Sequence, residues 1–128
     1  MWKRIVIMSL AAFLSTQAIR AGESDSYAKL ADILLHVGHY PSAHQRADLR
    51  AVMAADDSRV VHAIAMAINN MQHKTIAQED REQLKTLLES EHVPKQARRL
   101  LDVMLKMNHK LSYRNKKELQ AVIDGQAK

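Results

Sequence analysis

The chain of 128 residues contains no cysteine. That excludes disulfide staples, on which many small exported domains depend, so its stability has to come from burial alone. It also excludes a thiolate nucleophile and a lipid anchor carried on an N-terminal cysteine. Glycine is nearly as scarce, with only Gly22, Gly38 and Gly125. No phosphate-cradling glycine loop can be made from these three. Trp2 and Phe13 are the only residues of their kinds, and both lie close to the N-terminus. Beyond them a core has to be assembled from Leu, Ile, Val, Met and Ala, with Tyr27, Tyr40 and Tyr113. Strand signals are missing, because no run of alternating β-branched residues flanks a hairpin dipeptide. Gly-x-Ser-x-Gly and His-Glu-x-x-His are missing too, and most Ser and Asp residues stand where helix caps belong. The expectation is a chain that is not an enzyme and carries no cofactor.

The first residues form a pattern of their own. Lys3 and Arg4 precede the apolar run Ile5–Leu14, and Ser15-Thr16-Gln17-Ala18 follows. A basic start, a short apolar stretch and small residues describe an export signal, here spanning 1–21, with cleavage after Ala18 or after Ala21. The run is too short to cross a bilayer, which takes ~20 apolar residues. The expected location is the periplasm, without stable membrane insertion after processing. Residues 22–128 then form a single domain, large enough to bury a workable core.

Charge has to be counted on that domain. The whole chain is net +5, but Lys3, Arg4 and Arg20 belong to the signal, and the remainder is net +2. A nucleic-acid partner is therefore not expected. The distribution is uneven. Residues 22–93 hold seven basic and eleven acidic residues, whereas 94–128 hold nine basic and three acidic. The basic end is either a solvated helix face or a patch that attracts an acidic partner or an envelope polymer.

Apolar spacing predicts six helices. Gly22–Asp25 reads as a flexible polar lead-in. Tyr27, Leu30, Leu34 and Val37 make the first buried stripe, with Gly38 as its stop. Ser42 and Gln45 match a capping box that opens the second helix, which buries Leu49, Val52 and Met53. Asp56-Asp57 separates it from the third, with Val60, Val61, Ile64, Ile68 and Met71; this is the most apolar helix and the expected centre. Thr75 and Gln78 match a second capping box, before Leu84, Leu87 and Leu88. Pro94 opens the fifth helix, with Ala97, Leu100, Leu101, Met104 and Leu105. Ser112 caps the sixth, with Leu119, Val122 and Ile123, and Gly125 ends it.

These helices repeat. Met71-Gln72-His73-Lys74 recurs as Met107-Asn108-His109-Lys110 at an offset of 36. Leu84, Leu87 and Leu88 recur as Leu119, Val122 and Ile123 at an offset of 35. A weaker first copy runs through Leu30, Leu34, Val37 and His39. The fold class is thus all-α: six helices as three stacked hairpins, either a HEAT-like α-solenoid or a compact bundle. His39, His73 and His109 are equivalent in this scheme, which marks them as helix-ending residues at the bends.

Binding residues are sought where the repeat is interrupted. His36, His39, Tyr40 and His44 crowd the first bend, and Asn69-Asn70 stand beside Met66 and Met71, a side chain type that adapts to partners. These six polar residues are the candidate contacts for a protein partner. In an alternative reading, His36, His39 and His44 form a periplasmic metal or ligand site, since histidines three apart on a helix can share an ion. A third reading uses the basic final hairpin to hold an envelope polymer.

The signal from Lys3 to Ala18, the hairpin pattern from Leu30 to Ile123 and the Met-x-His-Lys steps give the chain an architectural likeness. It resembles the immunity proteins that protect bacteria from cell-wall amidase effectors delivered by type VI secretion. The likeness covers the whole chain and carries over no binding residues. It implies tight one-to-one or dimeric binding of a secreted peptidoglycan amidase, a homodimer being one form, with the catalytic groove plugged sterically.

Overall fold

In the computed structural model, residues 21–90 and 92–125 are described. Residues 1–20, which hold all but the last residue of the expected export signal, lie outside them. Six helices follow one another: α1 (Ala21–His36), α2 (Ala43–Ala55), α3 (Arg59–Asn69), α4 (Gln78–Leu88), α5 (Lys95–Lys106) and α6 (Tyr113–Ile123). The described residues contain no strand, only an isolated bridge between Gln72 and Thr75. None of these helices is long and apolar enough to cross a membrane.

Helix starts follow local chemistry where a hydroxyl is free to cap. Ser42 accepts from the Gln45 amide at 3.1 Å, and the Gln45 side chain accepts from the Ser42 amide at 2.9 Å, so the first capping box forms in full. Ser112 accepts from the Asn115 amide at 3.1 Å. The α2–α3 turn refines the Asp56-Asp57 boundary. Ser58 is the cap of α3, and Asp56 accepts from the Ser58 amide at 2.9 Å. Pro94 sits one residue before α5, at its cap position.

Three expectations fail for tertiary reasons. The lead-in Gly22–Asp25 is helical, because it has something to dock on. Glu23 accepts from the Tyr27 hydroxyl, Ser24 donates to Gln96 at 3.0 Å, and Ser26 donates to Asp56 at 2.9 Å. The second capping box does not form. Ala77 stands at the cap of α4, and Thr75 donates its hydroxyl to the His73 carbonyl within the bend. Gly38 is not a left-handed stop. Among the described residues, those with positive φ are His73, Lys74, His109 and Gly125, so of Gly38 and Gly125 the latter alone takes the expected role.

The hairpin partners α1/α2, α3/α4 and α5/α6 all touch. Helix α3 also touches α1 and α5, which fits its expected central place. Helix α1 has as many neighbours. It touches α2, α3 and α5 and packs most closely along α6, so the first and last described helices are neighbours. The sequence stripes meet in one core. Leu30, Leu34, Leu49, Ile64, Ile68, Leu84, Leu100, Leu101, Met104 and Leu119 are all buried to within 1 %. Each such side chain contributes roughly 1.5–3 kcal/mol by leaving water.

Candidate functional site: the edge formed by the three bends

Each hairpin turns over in the same way. A buried residue closes the first helix (Val37, Met71, Met107), exposed residues follow, with Lys74 and Thr75 half-buried in the second bend, and a second buried residue re-enters before the next helix (Pro41, Ile76, Leu111). Two apolar anchors four to five residues apart force the chain between them outwards. The second and third bends reverse through left-handed backbone at His73 (φ 56°), Lys74 (φ 57°) and His109 (φ 66°), whereas the first bend has no residue of positive φ. Histidine accepts that conformation more readily than most residues with a Cβ. The Met-x-His-Lys repeat is thus a bend motif, and the histidine is its pivot.

The three bends are tied into a row. The Lys74 amide donates to the His39 carbonyl at 3.3 Å. The His109 amide donates to the Thr75 hydroxyl at 3.3 Å, and His109 Nδ1 donates to the His73 carbonyl at 3.2 Å. The latter bond requires the proton on Nδ1, because a carbonyl only accepts. Ring contacts add to the chain. The Tyr40 hydroxyl lies 3.3 Å from His73 Nε2, with the two ring centres 5.2 Å apart. The His39 and His73 rings meet edge-on at 6.0 Å. Tyr40 is nevertheless half-exposed, and all three histidines are exposed. The result is a ridge of imidazole and phenol held by bonds that each use a backbone group, two of them completed by the short side chains of Thr75 and His109.

The sequence-predicted site residues divide between this ridge and elsewhere. His39 and Tyr40 are part of it. Asn70 stands at the end of α3 just before the second bend and donates to Asp80 at 3.3 Å, while Asn69 is half-buried. His36 lies back on α1, donating from Nδ1 to the Asp32 carbonyl at 2.9 Å. His44 lies on α2, with Nε2 3.5 Å from the Asp48 carboxylate. His36, His39 and His44 therefore have separate partners. Among the described residues, no group of three or more His, Cys, Asp or Glu could hold a metal ion. Of the methionines, Met71, Met104 and Met107 are core, Met53 is half-buried against it, and Met66 is 43 % exposed.

Sequence reasoning missed the part played by His73, Thr75 and His109 as a linked surface. The signal was present in the repeat itself, since equivalent positions in stacked hairpins share an edge. It also missed two arginine clasps. Arg98 donates to the carbonyls of Val93, Leu88 and Ser90, fastening the α4–α5 connection. Arg81 donates to the Leu105 carbonyl at 2.7 Å, meeting the negative end of α5.

At the far end of α1, Tyr27 is fully buried. Burial raises its phenol well above the usual value, and the hydrogen bond and charge of Glu23 push it the same way. It is a structural group with no access to a ligand. Compared with protein-family models, with characterised proteins and with solved structures, the chain matches none.

Proposed function

We propose that the chain is an exported protein-binding module, an immunity protein that occupies the catalytic groove of a secreted peptidoglycan amidase in the periplasm. The ridge carries this reading. It is exposed, aromatic at Tyr40 and held in shape by bonds between bends before any partner arrives. A surface ordered in advance loses little conformational entropy on binding, which is what a tight steric inhibitor needs. Tyrosine is among the side chains that most often anchor interfaces. Inhibition by occlusion asks for no chemistry from the inhibitor. The contact between α1 and α6 favours a closed bundle over an open solenoid, and a closed bundle presents edges rather than a long concave face.

Genetic neighbourhood and inhibition together test this. An adjacent reading frame is expected to encode an exported hydrolase with a Cys and His pair. The purified chain is expected to abolish its cleavage of peptidoglycan at equimolar ratio, and its periplasmic expression to protect cells from the enzyme. An amidase that remains fully active beside a molar excess of the chain would overturn the proposal.

A further inference from the structure

A second surface starts at the third bend and runs away from the ridge. A groove of about 840 Å³ runs between α5 and α6 and reaches Leu88 at the end of α4. Its size falls in the ~300–1,000 Å³ range of ligand clefts. Five cations line it, but they are not equivalent. Arg98 is committed to backbone carbonyls. Arg99 lies 3.6 Å from Glu118, and Lys106 lies 3.0 Å from Asp102. Lys110 and Arg114 are exposed and have no hydrogen-bond or ion-pair partner among the described residues. Arg114 lies in the first turn of α6, where the first backbone N–H groups add partial positive charge, and Lys110 lies in the bend two residues before the cap Ser112.

The second observation is Asn115. It is only 9 % exposed and lines the groove, yet its side-chain amide has no hydrogen-bond partner among the described residues. No unpartnered side-chain polar atom is sealed from solvent among the described residues, so this amide opens on the groove. In the free chain only water can pair with this amide, so a ligand group of matching chemistry can take the water's place. The amide offers both a donor and an acceptor, as a peptide backbone does, whereas a phosphate only accepts. The carboxylates of Asp102 and Glu118 and the apolar wall of Leu88 also suit a mixed peptide better than a uniform polyanion.

We propose that the α5/α6 groove recognises an acidic peptide segment of a partner protein. Asn115 pairs with its backbone, and Lys110 and Arg114 meet its carboxylates. The groove borders the ridge at the third bend, where Asn108 and Lys110 flank His109, but its test uses a free peptide and does not depend on which enzyme the ridge inhibits.

The probe is a fluorescein-labelled Glu/Leu/Ala peptide of about a dozen residues, compared by anisotropy with its Gln-for-Glu counterpart. The acidic peptide should bind at least about tenfold more tightly, and that advantage should shrink as salt rises from about 50 to about 500 mM. In a nuclear magnetic resonance titration the Asn115 side-chain NH₂ signal should shift. Lys110→Ala with Arg114→Ala should weaken binding by about tenfold or more with an unchanged melting curve, since both residues are exposed. Equal affinity for the two peptides, or undiminished binding by the double variant, would overturn the proposal. So would binding to phosphatidylglycerol vesicles but to neither peptide, which would make the groove a membrane contact.

Discussion

The two ends of the helical array are built on opposite principles. At the bend end, three similar turns lie side by side and are joined through backbone groups: the carbonyls of His39 and His73 and the amides of Lys74 and His109. At the other end the links among the described residues differ from one another. There α1 begins beside the α2–α3 turn and the start of α5, and side chains make the links, Ser24 to Gln96 and Ser26 to Asp56, while Tyr27 bonds to Glu23 within α1. One end uses its polar groups to hold an exposed surface in shape. The other uses them to fasten the first helix into the core. The contrast shows most plainly in the tyrosines, since Tyr27 is 0 % exposed and Tyr40 is 50 % exposed. Where a side chain secures the fold its partners are at least half-buried, as Glu23, Asp56 and Gln96 are, and where it can serve recognition its face stays in water.

The largest effect should come from the closed end. Tyr27→Ala removes a fully buried ring and is expected to cost about 3–5 kcal/mol in urea unfolding, enough to threaten a domain of ordinary stability. Tyr27 should also set an alkaline limit. Its phenol is held neutral in the folded chain, while in the unfolded chain it ionises near its usual value of about 10. Above that pH the unfolded state binds fewer protons than the folded one, so stability should fall as pH rises. Tyr27→Phe should flatten the decline between about pH 9 and 11 in thermal melts.

A smaller effect separates the two glycines. Gly125, beside the start of α1, has φ +73°, so Gly125→Ala is expected to lower stability by about 1–2 kcal/mol. Gly38, in the first bend, has no positive φ, and an added Cβ would meet nothing within 4 Å. Gly38→Ala should be neutral or stabilising by up to about 1 kcal/mol in the same assay. An equal loss at both positions would erase the distinction between the ends.

Smallest of all in stability, and largest in function, is Tyr40→Ala. The unfolding free energy should change by no more than about 0.5 kcal/mol. Affinity for the amidase proposed as its partner, read by calorimetry, should fall by at least about tenfold. A Tyr40 variant that binds unchanged would remove the ridge from the interface.

The helices themselves were legible because each is written in local terms. Buried stripes such as Ile64/Ile68 and Leu100/Met104 recur at helical spacing, and Ser42 and Ser112 announce their helices through hydroxyls that reach their own backbone. Much of the site was legible only as a repeat. Met-x-His-Lys located two bends, but read as a string it offers three histidines as helix ends and no reason to join them. The clustering of His36, His39 and His44 in sequence was a weaker guide. Two of them lie on helices, and each turns to an acidic residue four positions along its own chain.

By itself the sequence determined what short-range forces decide: an all-helical chain, the faces its helices bury, and most of the places where they start and stop. Tertiary structure decided everything that needed a distant partner. It made Gly22–Asp25 helical by giving Ser24 and Ser26 acceptors on other elements. It diverted Thr75 from a capping box into the link between bends. It brought α1 against α6, aligned the bends into one ridge and left Asn115 unpaired beside Lys110 and Arg114. Helical periodicity fixes which face of a segment is apolar, whereas the choice of neighbour depends on how all the faces can be buried at once.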